Sequence, residues 1–278
     1  MQRPVPFTFG IALMPRLLAR DWALIEALLD LTLASLRAQT DPEFRVIIAG
    51  HDRPRTAMDN DPRLSFLPVD WPVQATGPHN DDSGRKKHVL NDRVLVQGGG
   101  LFMLVDADDW VDRGTVAAAR AGIGPEEVGG LIEAGAILDF QTRRIAPLPH
   151  PNIFAGEFHR LCGTSTVACL RPDAAVPIRR DPFSTLRSHH QWLEVAREHG
   201  VRLARLPVAA AYLINTSENH SDLHGPHLDW RRTLMAAVNL QGLDLDDALT
   251  ARFGLDLAQV RSVVRRFFPP AQDARVTG

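Results

Sequence analysis

Three carboxylates, Asp106, Asp108 and Asp109, fall within four positions directly behind the apolar run Leu101-Phe-Met-Leu-Val105. Acids this close repel one another, and holding them together costs stability unless a cation sits between them. The cation that suits carboxylate oxygen is hard, Mg²⁺ or Mn²⁺, shared with the oxygens of a phosphate. The plainer alternative is a solvated turn in which one Asp caps the helix expected over Arg113–Ala121. That accounts for one acid and leaves two without a reason. A short apolar run bounded by polar residues reads as a strand buried on both faces, and Gly98, Gly99 and Gly100 punctuate its start. The acids then stand at the C-terminal end of a central strand, where open α/β sheets place their ligands.

The elements that must position these acids alternate along the chain. Pro6–Met14 reads as a strand ending in a Pro15–Arg16 turn, and Trp22–Gln39 has apolar residues at helical spacing. Phe44–Ala49 and Leu64–Val69 read as strands. Asp81–Gly98 holds a basic amphipathic helix leading into the Leu101 strand. This order implies a mostly parallel sheet with right-handed crossovers. Further on, Gly130–Phe140 and Arg144–Pro149 suggest a hairpin around Gln141–Arg143, and Thr164–Leu170 another strand. Ser188–His199 suggests a helix closed at Gly200, and Arg202–Ile214 a strand. From Asp229 the pattern is helical, with Leu243–Phe253 and Leu257–Phe268 as two short amphipathic helices; Pro269–Gly278 is expected to fray. The expected architecture is α/β, a mostly parallel central sheet flanked by helices. One domain is expected over 1–227, with a helical C-terminal appendage over 228–278.

With 278 residues, 45% of them hydrophobic, the chain can bury a sizeable core. A net charge of −2 gives no global basic field, so no nucleic-acid partner is expected. Two cysteines, Cys162 and Cys169, do not make a disulfide framework, and a reducing cytoplasm is the expected setting. No apolar run approaches the roughly 18 residues that span a bilayer, and the N-terminus lacks a signal-peptide core. Peripheral contact with a membrane-borne substrate stays open. Neither Gly-x-Gly-x-x-Gly nor Gly-x-x-x-x-Gly-Lys occurs, so neither NAD nor P-loop chemistry is expected.

The segments Leu31-Thr-Leu-Ala-Ser-Leu-Arg-Ala-Gln39, Phe44-Arg-Val-Ile-Ile-Ala49 and Val105-Asp-Ala-Asp-Asp109 resemble the family 2-like glycosyltransferases of the GT-A fold. In that family a T-L-x-S-L-x-x-Q helix leads into a strand ending in an acid, and a later strand ends in Asp-x-Asp. The resemblance covers roughly residues 7 to 215; the chain is similar, more loosely, to the bacterial rhamnosyltransferase-like branch. It implies a metal-dependent, inverting transfer of sugar from a nucleotide-sugar donor to an acceptor hydroxyl. The ion would be Mn²⁺ or Mg²⁺, and the acceptor a saccharide or another hydroxyl compound. Two other readings are a nucleotidyltransferase that makes sugar nucleotides, and a binding module without turnover. The first lacks a glycine-rich phosphate loop after Met14.

The resemblance also implies roles for residues. Asp106 would lie by the ribose and metal, and Asp108 would hold the metal against the diphosphate. Asp109 would support the site or touch the acceptor. Asp52 stands where the family carries a base-contacting acid, though it equally forms a turn before Pro54. Met14 and Arg16 would line the nucleotide, largely through backbone. Of the basic cluster Arg85-Lys86-Lys87-His88, Lys87 is expected at the diphosphate. Ser188-His-His-Gln-Trp192 occupies the place of the family's carboxylate base. His190 is favoured for that role, with His189 beside it and Asp181 behind. His220 or His224 would complete the metal site. Thr164 and Ser165 would bond acceptor hydroxyls, and Trp192 would stack on a sugar.

Overall fold

The computed structural model describes residues 4–74, 80–224 and 227–269. In chain order these form β1 (Phe7–Ala12), α1 (Trp22–Arg37), β2 (Arg45–Gly50), β3 (Leu64–Pro68), α2 (Asp81–Val96), β4 (Gly100–Val105) and β5 (Trp110–Val111). There follow α3 (Thr115–Gly122), β6 (Glu127–Ile132), β7 (Gly135–Asp139), β8 (Arg144–Leu148), β9 (Thr166–Leu170), α4 (Pro182–Thr185) and α5 (Trp192–Glu198). The chain closes with β10 (Arg202–Leu206), β11 (Ala210–Ile214), α6 (His220–Leu223), α7 (Leu228–Gln241), β12 (Leu243–Asp244), α8 (Asp247–Arg252) and α9 (Leu257–Phe267).

A seven-stranded sheet in the order β10-β6-β9-β4-β1-β2-β3 forms the frame. Every neighbouring pair is parallel except the two that β9 makes, with β4 and β6. The expected α/β architecture, a mostly parallel central sheet flanked by helices, is therefore what the chain adopts. β4 lies at the centre because Leu101–Val105 are buried on both faces, which only a strand covered by helices on either side requires. Gly98, Gly99 and Gly100 all take positive φ before it, and a Cβ on Gly100 would lie 2.5 Å from the Pro6 carbonyl.

A second, five-stranded sheet runs β12-β8-β7-β11-β5. Helix α1 is apolar nearly all round because it lies between two cores. Ile25, Leu29, Leu33 and Leu36 join the core of the first sheet. Leu24, Leu28 and Leu31 join a second core with Leu138, Leu213, Val260 and Val264. Asp21 caps the helix, accepting from the Ala23 and Leu24 amides. The C-terminal helices are packed into this scheme, α7 on β7 and β8 and α9 on α1, while β12 pairs with β8.

Three expected elements are corrected. The apolar stretch Gly130–Phe140 is two strands, since the chain leaves the first sheet after Ile132 and enters the second at Gly135. The Phe158 ring covers that crossing, 2.2 Å from where a Gly135 Cβ would stand. Arg202–Ile214 likewise divides at Pro207–Ala209 into β10 of one sheet and β11 of the other. Leu243–Phe253 opens as the two-residue edge strand β12, and its helix spans only Asp247–Arg252, capped by Asp246. Among the described residues no helix is long and apolar enough to cross a membrane.

Candidate functional site

A polar cleft of about 470 Å³ opens over the C-terminal ends of β1 and β4. Its floor is the turn after β4, and three buried polar side chains, Thr32 and Ser35 on α1 and Gln39 just beyond its end, hold that turn in place. The Thr32 hydroxyl donates to the Ala107 carbonyl at 2.9 Å. Ser35 Oγ accepts from the Val111 amide at 3.1 Å. Gln39 donates to the Asp112 carbonyl at 2.8 Å and accepts from the Val116 amide at 3.0 Å. The spaced Thr, Ser and Gln of the T-L-x-S-L-x-x-Q segment are thus the fasteners of the acidic turn. From the opposite side Thr164 Oγ1 accepts the Asp106 amide at 3.0 Å.

The turn separates the three acids. Asp106 is half exposed and, with Asp108, lines the cleft. Burial first, and then the negative charge of Asp106, push Asp108 up to about 7. Its neutral partners stand at a distance, Thr216 Oγ1 and Asn219 Nδ2 both at 3.4 Å from Asp108 Oδ2. Asp109 is fully buried, accepting from the Leu213 amide at 3.1 Å and from the Cys162 thiol at 3.2 Å. Burial holds both Asp109 and the Cys162 thiol well above their usual ranges. Asp109, wholly buried, supports the floor from beneath.

Across the cleft floor stands His189. Its Nδ1 lies 2.5 Å from the His159 carbonyl, an acceptor only, so the proton is on Nδ1 and Nε2 keeps its lone pair. Burial lowers its pKa to about 4, leaving the ring neutral at pH 7. Gly163 lies between this ring and the acids: a Cβ there would meet Asp106 Oδ2 at 3.5 Å and His189 Cδ2 at 3.8 Å. Lys87 Nζ is 4.0 Å from Asp106 Oδ1 and also lines the cleft. Also in the lining, Arg85 lies 4.3 Å over the Trp71 ring. Its neighbour Lys86 is fully buried instead, donating to the Leu13 carbonyl at 2.7 Å and to Asp82 at 2.5 Å, with its pKa lowered by burial.

Six of the expected site residues line this cleft: Met14, Lys87, Asp106, Asp108, His189 and His220. The others are placed elsewhere, each for a visible reason. Asp52 accepts the Arg16 amide at 2.9 Å, so these two expected nucleotide contacts are spent on each other, pinning the short 3-10 turn after Pro15. His190 is exposed and outside the lining, its ring 5.6 Å from that of His189. Asp181 caps α4 through the Ser184 amide and faces His88 at 3.8 Å. His224 ends α6 with its ring 5.3 Å from that of His220, also outside the lining. The expected acceptor contacts Thr164, Ser165 and Trp192 are all buried. Ser165 donates to the Cys162 carbonyl at 2.6 Å, and Trp192 packs on Phe183 in the core.

The sequence reading missed several lining residues that arrive from distant segments: Trp71, Tyr212, Glu218, Asn219 and Arg231. Glu218 could have been suspected as an acid beside the polar Asn219–His220 stretch. It fastens the loop before α1, accepting from the Arg20 and Asp21 amides at 3.2 and 2.7 Å.

Among the described residues no three His, Cys, Asp or Glu side chains gather as a complete metal-ligand set. Two cleft-facing carboxylates, one of them made reluctant to ionise by burial and then by the charge of the other, instead suit a cation completed by oxygens of a substrate. That is how Mg²⁺ is commonly held, by one or two carboxylates together with phosphate.

No family model matches the chain, and no curated protein matches it. Solved structures overlay it shallowly. TarS of S. aureus shares 15% identity over 94% of this chain and 44% of its own, with a TM-score of 0.40. The chain thus spans less than half the length of that protein. 4-Diphosphocytidyl-2C-methyl-D-erythritol synthase shares 12% over 92% and 100%, at 0.39. The glycosyltransferase GlyE of Streptococcus pneumoniae TIGR4 shares 6% over 96% and 64%, at 0.37. Overlays this shallow assign no role to any residue.

Proposed function

We propose that the chain transfers a sugar from a nucleotide-sugar donor to an acceptor hydroxyl, with inversion, as a metal-dependent enzyme of the GT-A kind. The observation that carries this reading is the meeting of two unlike sites over one cleft floor. Asp106 and Asp108 face the cleft beside Lys87, and a neutral imidazole faces it from the other side of Gly163.

Asp106 and Asp108 would hold Mn²⁺ or Mg²⁺, which when bound supplies charge to steady the departing diphosphate. Lys87 adds a positive charge on the same side, since a diphosphate carries more negative charge than one divalent ion cancels. His189 Nε2 takes the acceptor proton as the acceptor oxygen attacks the anomeric carbon. The bond from that carbon to the diphosphate oxygen breaks on the opposite face, and the electron pair leaves with the nucleoside diphosphate. A pKa of about 4 places His189 beside the carboxylate that the resemblance expects in this role, unprotonated at working pH. His189 therefore replaces His190 as the proposed base. Trp71 and Arg85, stacked on each other in the cleft lining, suit the nucleobase, a flat π-system.

A thermal-shift screen of nucleotide sugars tests the reading. A nucleotide sugar held at about 100 times its Kd should stabilise the fold by about 2.7 kcal/mol. The stabilisation should require Mn²⁺ or Mg²⁺ and vanish in Asp108→Asn. Equal shifts with the free sugars alone, or none with any nucleotide sugar, would refute it.

A further inference from the structure

Beside the cleft, outside its lining, Trp230 in the first turn of α7 stands 44% exposed. Phe154 sets its ring nearly edge-on to that indole, centroids 6.4 Å apart at 73°. Between this pair and the cleft lies Arg231. Its guanidinium is 5.4 Å from the Trp230 ring on one side and 5.4 Å from the Tyr212 ring on the other, and it donates to the Tyr212 hydroxyl. Arg231 and Tyr212 line the cleft, so an aromatic ledge outside is continuous with the catalytic floor inside. Arg231 gives one N–H to Tyr212 and its charge acts on Asp222 without a close ion pair among the described residues, so further N–H donors remain for a solute.

We infer that Trp230, Phe154 and Arg231 form the binding site for a saccharide acceptor, whose ring stacks on Trp230 and whose hydroxyls accept from Arg231. This rests on the glycosyl-transfer reading and names the class of its second substrate. The size of the ledge argues for a sugar against a protein partner. A stable protein interface buries about 800 Å² on each side, whereas one aromatic side chain contributes about 150–250 Å² even when fully buried. An apolar face bordered by a donor-rich cation also matches a pyranose, which has C–H faces and a hydroxyl rim. A bilayer surface offers no such alternation.

The test is saturation-transfer NMR with methyl pyranosides and short oligosaccharides, with and without UDP, GDP or dTDP and Mn²⁺. At least one saccharide should receive saturation from the wild type. Trp230→Ala should weaken it by about tenfold or more, and Trp230→Phe by no more than about threefold. Nucleotide affinity and melting temperature should stay unchanged in both variants, because Trp230 touches neither the acids nor the core. Saccharide binding that survives Trp230→Ala would overturn the ledge, as would a wild type that binds nucleotide but no saccharide. Binding of phosphatidylglycerol vesicles lost in Trp230→Ala would also overturn it, in favour of a lipid surface. Saccharide binding that depends on Trp230 in a protein that binds no nucleotide would keep the ledge and remove the donor reading. The two failures are therefore distinct.

Discussion

Replacing His189 by glutamine removes the imidazole lone pair and leaves an amide able to reach the His159 carbonyl. Turnover should fall by about 10² to 10⁴, the usual contribution of a general base. Donor affinity should hold, because the base acts on the acceptor and only in the transition state. The acid limb of the wild-type pH–rate profile should lie near 4, where burial puts this ring, and not near the 6.5 of a solvated histidine. The same displacement has a second, independent readout. The unfolded chain takes up a proton at His189 near 6.5, and the native chain refuses it until about 4. Stability from this residue is thus complete above 6.5 and is lost as the pH falls toward 4. At about 1.4 kcal/mol per pKa unit, the loss at pH 5 relative to pH 7.5 comes to about 2 kcal/mol. Denaturant unfolding of wild type and His189→Gln at both pH values isolates this amount as the difference in their pH slopes. Equal slopes, or an acid limb at 6.5, would show that the ring is solvated and return the base role to the exposed His190.

Three further outcomes follow from the geometry. Asp108→Asn should lower turnover by about 100-fold or more, the scale for losing a main electrostatic stabiliser, and excess chelator should reproduce the loss in the wild type; full activity in either case would refute the metal role. Gln39→Ala leaves the Asp112 carbonyl and the Val116 amide without their partner, so urea unfolding should show a loss of about 2–4 kcal/mol; a change below 0.5 kcal/mol, the level of ordinary surface substitutions, would mean that these bonds do not fasten the turn. Gly163→Ala meets nothing closer than 3.5 Å and should leave the melting temperature unchanged. Its methyl group fills the space between Asp106 and His189, so acceptor KM should rise while nucleotide Kd stays the same; unchanged acceptor kinetics would place the acceptor elsewhere.

How much of this was legible beforehand depended on how local the cause was. The strand Leu101–Val105 and the acids behind it could be read because an apolar run and its boundary lie in one stretch of chain. The buried partners of Thr32, Ser35 and Gln39 lie some 75 residues further on, so the motif signalled a family before it disclosed its task. Strand-like residues on both sides of Glu133–Ala134 and Pro207–Ala209 hid those breaks, because each pair of strands runs on in sequence while its members belong to different sheets. Thr164 and Ser165 looked like ligands for sugar because hydroxyls serve backbone and solute alike. Only their burial against the Asp106 amide and the Cys162 carbonyl decides between them. His189 and His190 were indistinguishable by type, and one turn of 3-10 helix sends one into the cleft and the other to solvent. Tyr212, Trp230 and Arg231 carry no local signal, since only packing brings β11 and α7 to the cleft.

Isothermal titration calorimetry of UDP, GDP and dTDP with Mn²⁺ tests the central claim most directly. At least one should bind the wild type with a Kd below 1 mM, about −4 kcal/mol. That binding should be abolished by chelator and by the double substitution Asp106→Asn and Asp108→Asn. A wild type that binds none of the three at millimolar concentration would contradict it, as would binding that ignores both the metal and the two carboxylates.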